Sequence, residues 1–459
     1  SNPHSEPKTT HSTSRRPYLF NREQRHNFQL ETPSAVGATR GTDVLVTVAP
    51  NGDSTFLVLD GEVDVTNDLG QITLKPGEEG TASPNQAPVR SAVVQTKRLV
   101  QWWLYYPGIL PAEELAFAEE EKNLLAGSLE AYRTGDILNA LFLCSKDVAG
   151  GSDSRKVYLA ALLLSVGQAS QANALLKDVT GLQPQIAALS ELISVVESNG
   201  SANQGAASKP GEPQPASMLL AESYRLQARF NLAAALASAR RAAQTAPAFG
   251  FAWARVAELE FSFGRVGAAK EALDQAVRLS PRNAEALALQ GFMLAAENQI
   301  TGAMDSFNQA ISVDSALGNA WLGRGLCKFR QHDIQGELSD LETAAALEPS
   351  RSLLRSYLGK GFGMARQPEQ ARKELSLAAG LDGADPTPWL YSAMVNYQEH
   401  RKNQAVEDLE KSLSLNDNRR VYRSRLLLDQ DRSVRSASLA NIYQGAGLTV
   451  ASLREATRA

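Results

Sequence analysis

The chain has 459 residues, 43 % of them hydrophobic, with 46 basic side chains against 50 acidic ones and a net charge of −4. A balance this even offers no basic field for nucleic acid or an anionic membrane. No apolar run approaches the roughly 18 residues a helix needs to span a bilayer, and the length suits two or three domains or one solenoid with an appendage.

Residues 1–16 (SNPHSEPKTTHSTSRR) are polar and without periodicity, which predicts a disordered tail. From 17 to 98 the character changes to short alternating runs. Asp43–Val48 reads as a strand, Asn51-Gly52 as a hairpin turn and Thr55–Leu59 as a second strand that breaks at Asp60-Gly61. Glu62–Thr66 and Gln71–Leu74 follow, then the turn Pro76-Gly77-Glu78, so the region predicts a small antiparallel β module with strands of about five residues. Residues 99–120 form an aromatic junction. Trp102, Trp103, Tyr105 and Tyr106 are expected to dock the β module onto the first helices, the alternative being an external site for aromatics or sugars.

Helices are predicted from Pro111-Ala112-Glu113-Glu114, a proline-then-acid start. A first helical block, 121–197, holds two loose repeats. One is centred on Tyr132, Gly135 and Ala140, and the other runs from Asp153 with Gly167, Ala172, Leu176 and Pro184 at matching places. An extra helix over 185–197 leads into a Gly/Ser/Pro-rich linker at 198–216. The main array occupies 217–459. In it Leu279, Val313, Leu347, Leu381 and Leu415 follow one another at 34 residues. Ala235, Ala269, Ala303, Ala371 and Ala405 mark one small position, with Glu337 the lapse, and Ala242, Ala276, Ala310, Ala344 and Ala378 mark another. Small residues let helices approach closely, and a breaker at Pro247, Pro281, Ser315, Pro349, Gly383 and Asp417 resets direction after each pair. With Ala440 at the small position, the last repeat turns at Gly447, starts its second helix near Thr449 and stops unfinished at Ala459. That end, an incomplete β module and the missing initiator Met together suggest a piece of a longer polypeptide, with no compartment implied by the absence of a signal.

These 34-residue helical pairs resemble the tetratricopeptide repeat (TPR). The resemblance implies a mostly α fold, a TPR α-solenoid of about eight helix–turn–helix repeats plus a partial one, with the β module at its N-terminus. It also implies a concave groove lined by first helices. Carried over position by position, its residues here are Phe251, Glu258, Phe261, Phe292, Leu326, Phe329, Arg330, Lys360, Met394 and Tyr397. Mostly apolar, they disfavour the Asn/Lys/Arg clamp by which some TPR proteins hold a C-terminal carboxylate. The groove either takes a partner peptide or is filled by the chain's own linker or β module.

Glu31-Thr32-Pro33, Arg40-Gly41-Thr42, Leu59–Val63 and Pro76-Gly77-Glu78 carry a second resemblance, to the later half of the FecR domain of bacterial periplasms. The whole is similar to envelope proteins in which a FecR-like module and TPR repeats precede an outer-membrane β-barrel. This implies a non-enzymatic periplasmic scaffold with a protein or peptide partner in the cell envelope. Membrane association would come only through a barrel not present in this chain. The alternative it implies is a FecR-like signalling or transport-regulating module coupled to that barrel.

Chemistry-bearing motifs are weak. Gly359-Lys360-Gly361-Phe362-Gly363 superficially resembles a phosphate loop but falls inside a predicted helix. His4, His11, His26, His332 and His400 share no spacing, so no metal triad or catalytic dyad is expected. No cofactor is predicted. Cys144 and Cys327 read as helix-packing thiols rather than a disulfide.

Overall fold

The computed structural model describes residues 10–11, 18–20, 28–48, 51–75, 78–93, 108–144, 151–197, 214–229, 231–349, 351–383, 385–415, 440–445 and 449–456. The chain packs as two compact units, one of residues 1–100 with 345–350, which holds the β-strands, and one of residues 101–344 and 351–459, which holds the helices.

The β unit contains strands β1 (Thr10–His11), β2 (Tyr18–Phe20), β3 (Phe28–Glu31), β4 (Val36–Val48), β5 (Ser54–Asn67), β6 (Gly70–Leu74), β7 (Glu78–Ala82) and β8 (Val89–Val93). They pair in the order β1-β3-β4-β5-β7-β8, with β2 on β4 and β6 on β5. Alternation places Ala35, Val46, Phe56, Val58, Val63, Val65, Leu74 and Ala82 in one core. One expectation is corrected here. The strand does not break at Asp60-Gly61, because β5 runs for 14 residues through it. A register shift against β4 between Arg40 and Asp43 absorbs the irregularity as a bulge instead. The Asn51-Gly52 turn forms as expected, with Asn51 Oδ1 accepting from the Asp53 amide at 3.2 Å.

The helical unit opens with a short 3-10 turn at Ala112–Glu114; the first α-helix, α1, starts later, at Glu119, and ends at Thr134. The acid after Pro111 therefore serves another helix. The Glu114 carboxylate accepts from the Ser217 amide at 3.0 Å, far along the chain. The first block continues as α2 (Ile137–Cys144), α3 (Asp153–Ser165), α4 (Ala169–Lys177) and α5 (Gln183–Glu197). Then come the pairs α6 (Ala216–Ala228) and α7 (Leu232–Thr245), α8 (Gly250–Ser262) and α9 (Val266–Leu279), and α10 (Ala284–Ala296) and α11 (Ile300–Val313). These are followed by α12 (Gly318–Arg330) and α13 (Ile334–Leu347), α14 (Ser352–Met364) and α15 (Pro368–Leu381), and α16 (Thr387–Gln398) and α17 (Lys402–Leu415). Residues 440–445 are helical again, and α18 spans Thr449–Ala456.

The sequence clock is also a backbone clock. Gly264, Asn298, His332, Arg366 and His400, one per repeat at the same step, all turn between the two helices with positive φ, from 59° to 71°. Asn and His tolerate the left-handed region better than most residues, so two of the histidines have a structural address. All five alanines of the first small position and all five of the second are fully buried. Cβ-free positions do similar work at Gly291 and Gly323. A methyl there would lie 2.7 and 2.2 Å from the ring of Phe307, which wedges between neighbouring pairs. Asn231 and Asn283 cap α7 and α10, each accepting from a backbone amide three residues on. Cys144 and Cys327 are buried free thiols, as expected.

Candidate partner-binding groove

The row of residues assigned to the groove divides in two. Toward the N-terminus it is closed. Phe251 stacks on Tyr132 of α1 with ring centroids 5.6 Å apart, and Phe249 and Tyr158 complete an aromatic cluster around the same ring. Tyr132 is buried and its hydroxyl donates to the Leu110 carbonyl at 3.0 Å. Burial and the nearby Tyr158 push its pKa far above the ordinary phenol value. The turn after α1 is clasped onto the α9–α10 turn. The Arg282 amide donates to the Thr134 carbonyl at 2.7 Å, Ser280 Oγ to the Arg133 carbonyl at 2.7 Å, and Arg282 Nε to Asp136 at 2.8 Å. Among the described residues, this end is filled by the chain's own first helical block. Phe261, Phe292 and Leu326 are buried as well, and Phe292 meets Phe307 edge-on at 5.0 Å.

Toward the C-terminus the row opens. Phe329 and Lys360 are half-buried, while Met394 and Tyr397 are each 37 % exposed. A separate pocket of about 600 Å³ between α14, α15 and α16 is lined by Met364, Arg366, Pro368, Val395, Gln398 and Glu399, and by none of these row residues. Lys360 Nζ sits 5.3, 5.4 and 5.5 Å from the ring centroids of Phe329, Tyr357 and Tyr391. Arg330 is exposed but tied back, donating to the Ala295 carbonyl at the end of α10 at 3.1 Å.

Charge is buried behind this row. Arg255 lies 3.9 Å from the centroid of Tyr224 and donates to Ser223 Oγ at 3.1 Å and to Glu258 at 2.7 Å. Burial, with the neighbouring Glu258, pushes the Glu285 carboxyl well above the usual range. In α12–α15 the interhelix space holds Arg324 and Lys328 on Asp340, each at 2.8 Å, and Arg355 on Glu374 at 2.7 Å with both partners buried. Glu337 occupies the alanine position of the other repeats, fully buried, with no hydrogen-bond partner on either oxygen. Burial raises its carboxyl to about 7, against the opposing pull of Lys360.

Arg255, Tyr357 and Tyr391 were not singled out from sequence, although they share one register position with Leu289 and Gly323 in the 34-residue step. Reading that position would have found them. Trp102, Trp103, Tyr105 and Tyr106 lie outside the described residues. Gly359-Lys360-Gly361-Phe362-Gly363 lies within α14, where a Cβ on Gly359 would fall 2.6 Å from Leu375, so helix packing explains that glycine. Among the described residues no group of three or more His, Cys, Asp or Glu is placed to hold a metal ion, and no helix is long and apolar enough to cross a membrane.

No protein-family model matches the chain. Over 102 residues, 21 % of its length, it is 32 % identical to human tetratricopeptide repeat protein 36, of which it spans 53 %, about half. Among solved structures it is similar to the APC/C hetero-tetramer Cut9–Hcn1, with a TM-score of 0.50 at 15 % identity over 72 % of each chain. A tetratricopeptide repeat protein from Parabacteroides merdae aligns with 61 % of this chain and 99 % of its own, at 15 % identity and a TM-score of 0.38. The fold is that of a TPR-like solenoid, mostly helical, preceded by a small β unit.

Proposed function

We propose that this chain is a non-enzymatic protein-interaction scaffold that takes an extended or helical segment of a partner into the open half of its groove. The observation that carries this reading is the contrast along one row. Phe251, Phe261 and Phe292 are at most 5 % exposed, whereas Met394 and Tyr397 keep 37 % of their surface in water. Apolar side chains left open in a concave solenoid surface are the usual mark of a docking face. Phe329→Asp together with Tyr397→Asp is expected to abolish capture of the partner from an envelope fraction while far-UV circular dichroism stays unchanged. Capture that survives both changes removes the groove from consideration. Phe292→Asp is the packing control, since its ring sits against Phe307 and a charge there should unfold the repeat.

The same proposal places the chain in the periplasm, next to an outer-membrane β-barrel, on the strength of the FecR-like motifs in the sequence. Osmotic-shock fractionation with a reporter fused to the chain tests this, and a purely cytoplasmic signal rejects it. A second reading is a FecR-like module that relays transporter occupancy. It is favoured by the β unit having a core of its own around Phe56, Val58, Val63 and Val65. Crosslinking of that unit to a receptor only when the receptor is loaded supports the relay, and loading-independent crosslinking rejects it.

A further inference from the structure

One cation in the open half of the groove is surrounded differently from its neighbours. Arg324 and Lys328 share Asp340, and Arg355 is matched by Glu374. Lys360 faces three aromatic rings instead, and among the described residues no oxygen accepts a hydrogen bond from its ammonium. Ring faces attract a cation through their quadrupoles, yet they accept none of its three N–H donors in a strong bond. Lys360 pulls against the burial that raises the Glu337 carboxyl, and Glu337 is itself fully buried and likewise without a hydrogen-bond partner. Among the described residues the two groups form no contact pair, and Lys360 is the half-buried member on the groove side.

We infer that Lys360, framed by Phe329, Tyr357 and Tyr391, is the anchor for an Asp or Glu side chain of the partner segment. This rests on the reading of the open half as the docking face. An arriving carboxylate gains a charge-assisted hydrogen bond in a partly desolvated nest, stronger than a neutral one. The rings supply apolar contact for the methylenes of the acid and for its neighbours. The row continues past Lys360 to Met394 and Tyr397, so the segment runs on through the site. That makes the acid an internal residue of the segment and not its C-terminus. Glu337 sets the strength of the anchor, because a buried carboxylate competes for the same ammonium. The alanine found at that position in the other repeats would not compete.

The test uses the full chain and short synthetic peptide pools of Leu, Phe, Tyr and Ser with blocked termini and either Glu or Gln at the centre. A third pool carries the central Gln and a free C-terminal carboxylate. Fluorescence anisotropy should show the Glu pool binding about tenfold more tightly than the Gln pool, roughly 1.4 kcal/mol. Lys360→Met, which keeps the apolar stem, should bring the two pools to parity at unchanged helical content, and Glu337→Ala should widen the gap. Equal binding of the Glu and Gln pools, or a preference that survives Lys360→Met, overturns the anchor and leaves the groove standing. Tightest binding by the free-carboxylate pool overturns it in favour of terminal capture. Binding that appears only after deletion of residues 198–213 makes the chain itself the occupant and overturns the partner. Failure of every pool to bind overturns the anchor and the docking face together.

Discussion

The two ends of the groove share one repeat geometry and differ in what they do with it. At the N-terminal end the aromatic positions are spent on the molecule itself, with Phe251 stacked on Tyr132 and the α1 turn hydrogen-bonded to the α9–α10 turn. At the C-terminal end Met394 and Tyr397, which stand at the repeat positions of Phe292 and Phe261, stay open, and the interior behind them carries charges such as Arg355, Glu374 and Glu337. The repeat pattern specifies which positions face the concavity. Contacts between distant parts of the chain decide which of those remain available.

The largest effect is expected from undoing the closed end. Tyr132→Ala removes a buried ring that contacts Phe249, Phe251 and Tyr158, and should cost about 3–5 kcal/mol in urea unfolding. It should also create dye-accessible apolar surface around Phe251. A loss below about 1 kcal/mol would mean the two ends are less different than their burial indicates. Next comes the interior of the open end. Arg355→Met leaves Glu374 buried without its guanidinium and should cost about 3 kcal/mol, while adding Glu374→Leu should recover most of that loss.

Glu337 gives a pH-dependent contrast. Its folded carboxyl titrates near 7, above the ordinary 4.5, so the folded chain holds this proton more tightly than the unfolded one. Stability is therefore complete below about pH 4.5 and falls as pH rises toward 7, by up to about 3 kcal/mol. Glu337→Ala should stabilise the chain by up to that amount at pH 8 and by nothing attributable to charge at pH 4. A pH-independent difference would show that the carboxyl is solvated. The smallest effect belongs to the seat of the clasp. Asn283→Ala removes the side-chain acceptor for the Ala286 amide and should lower stability by about 1 kcal/mol, seen as a small shift in midpoint with an unchanged slope.

Much of the solenoid was legible because its signals are local. A small residue fully buried at a fixed step, and a turn residue with positive φ at the same step, are both written in a single pass along the chain. The lapse at Glu337 was equally visible. What the residue type could not reveal was that the glutamate stays inside, since a side chain of that length usually reaches water. The closed end was hidden for a different reason. Tyr132 and Phe251 meet only when the first block has curled back, and no periodicity links them. Glu114 misled in the same way, because an acid near a helix start is expected to serve that helix, whereas it reaches Ser217. In the β unit, Asp60-Gly61 carries strong turn chemistry, but pairing with β4 on both sides of a bulge holds the strand extended through it. For the groove, the residues assigned from sequence, such as Lys360 and Met394, leave out the position of Tyr357 and Tyr391. Tyr357 and Tyr391 stand one helical turn earlier and still reach Lys360 because aromatic rings span that distance.

The clasp between the α1 turn and the α9–α10 turn has a mechanical consequence. A repeat array in which each unit touches only its neighbours behaves as a spring, free to stretch and to fray from either end. Here Ser280 Oγ bonds to the carbonyl of Arg133, 147 residues earlier, so the coils between them form a closed hoop. Pulling on the N-terminal end must open that hoop before any coil inside it can lengthen. The front of the solenoid is stiff, and the compliance of the molecule is concentrated at the end where the groove is open.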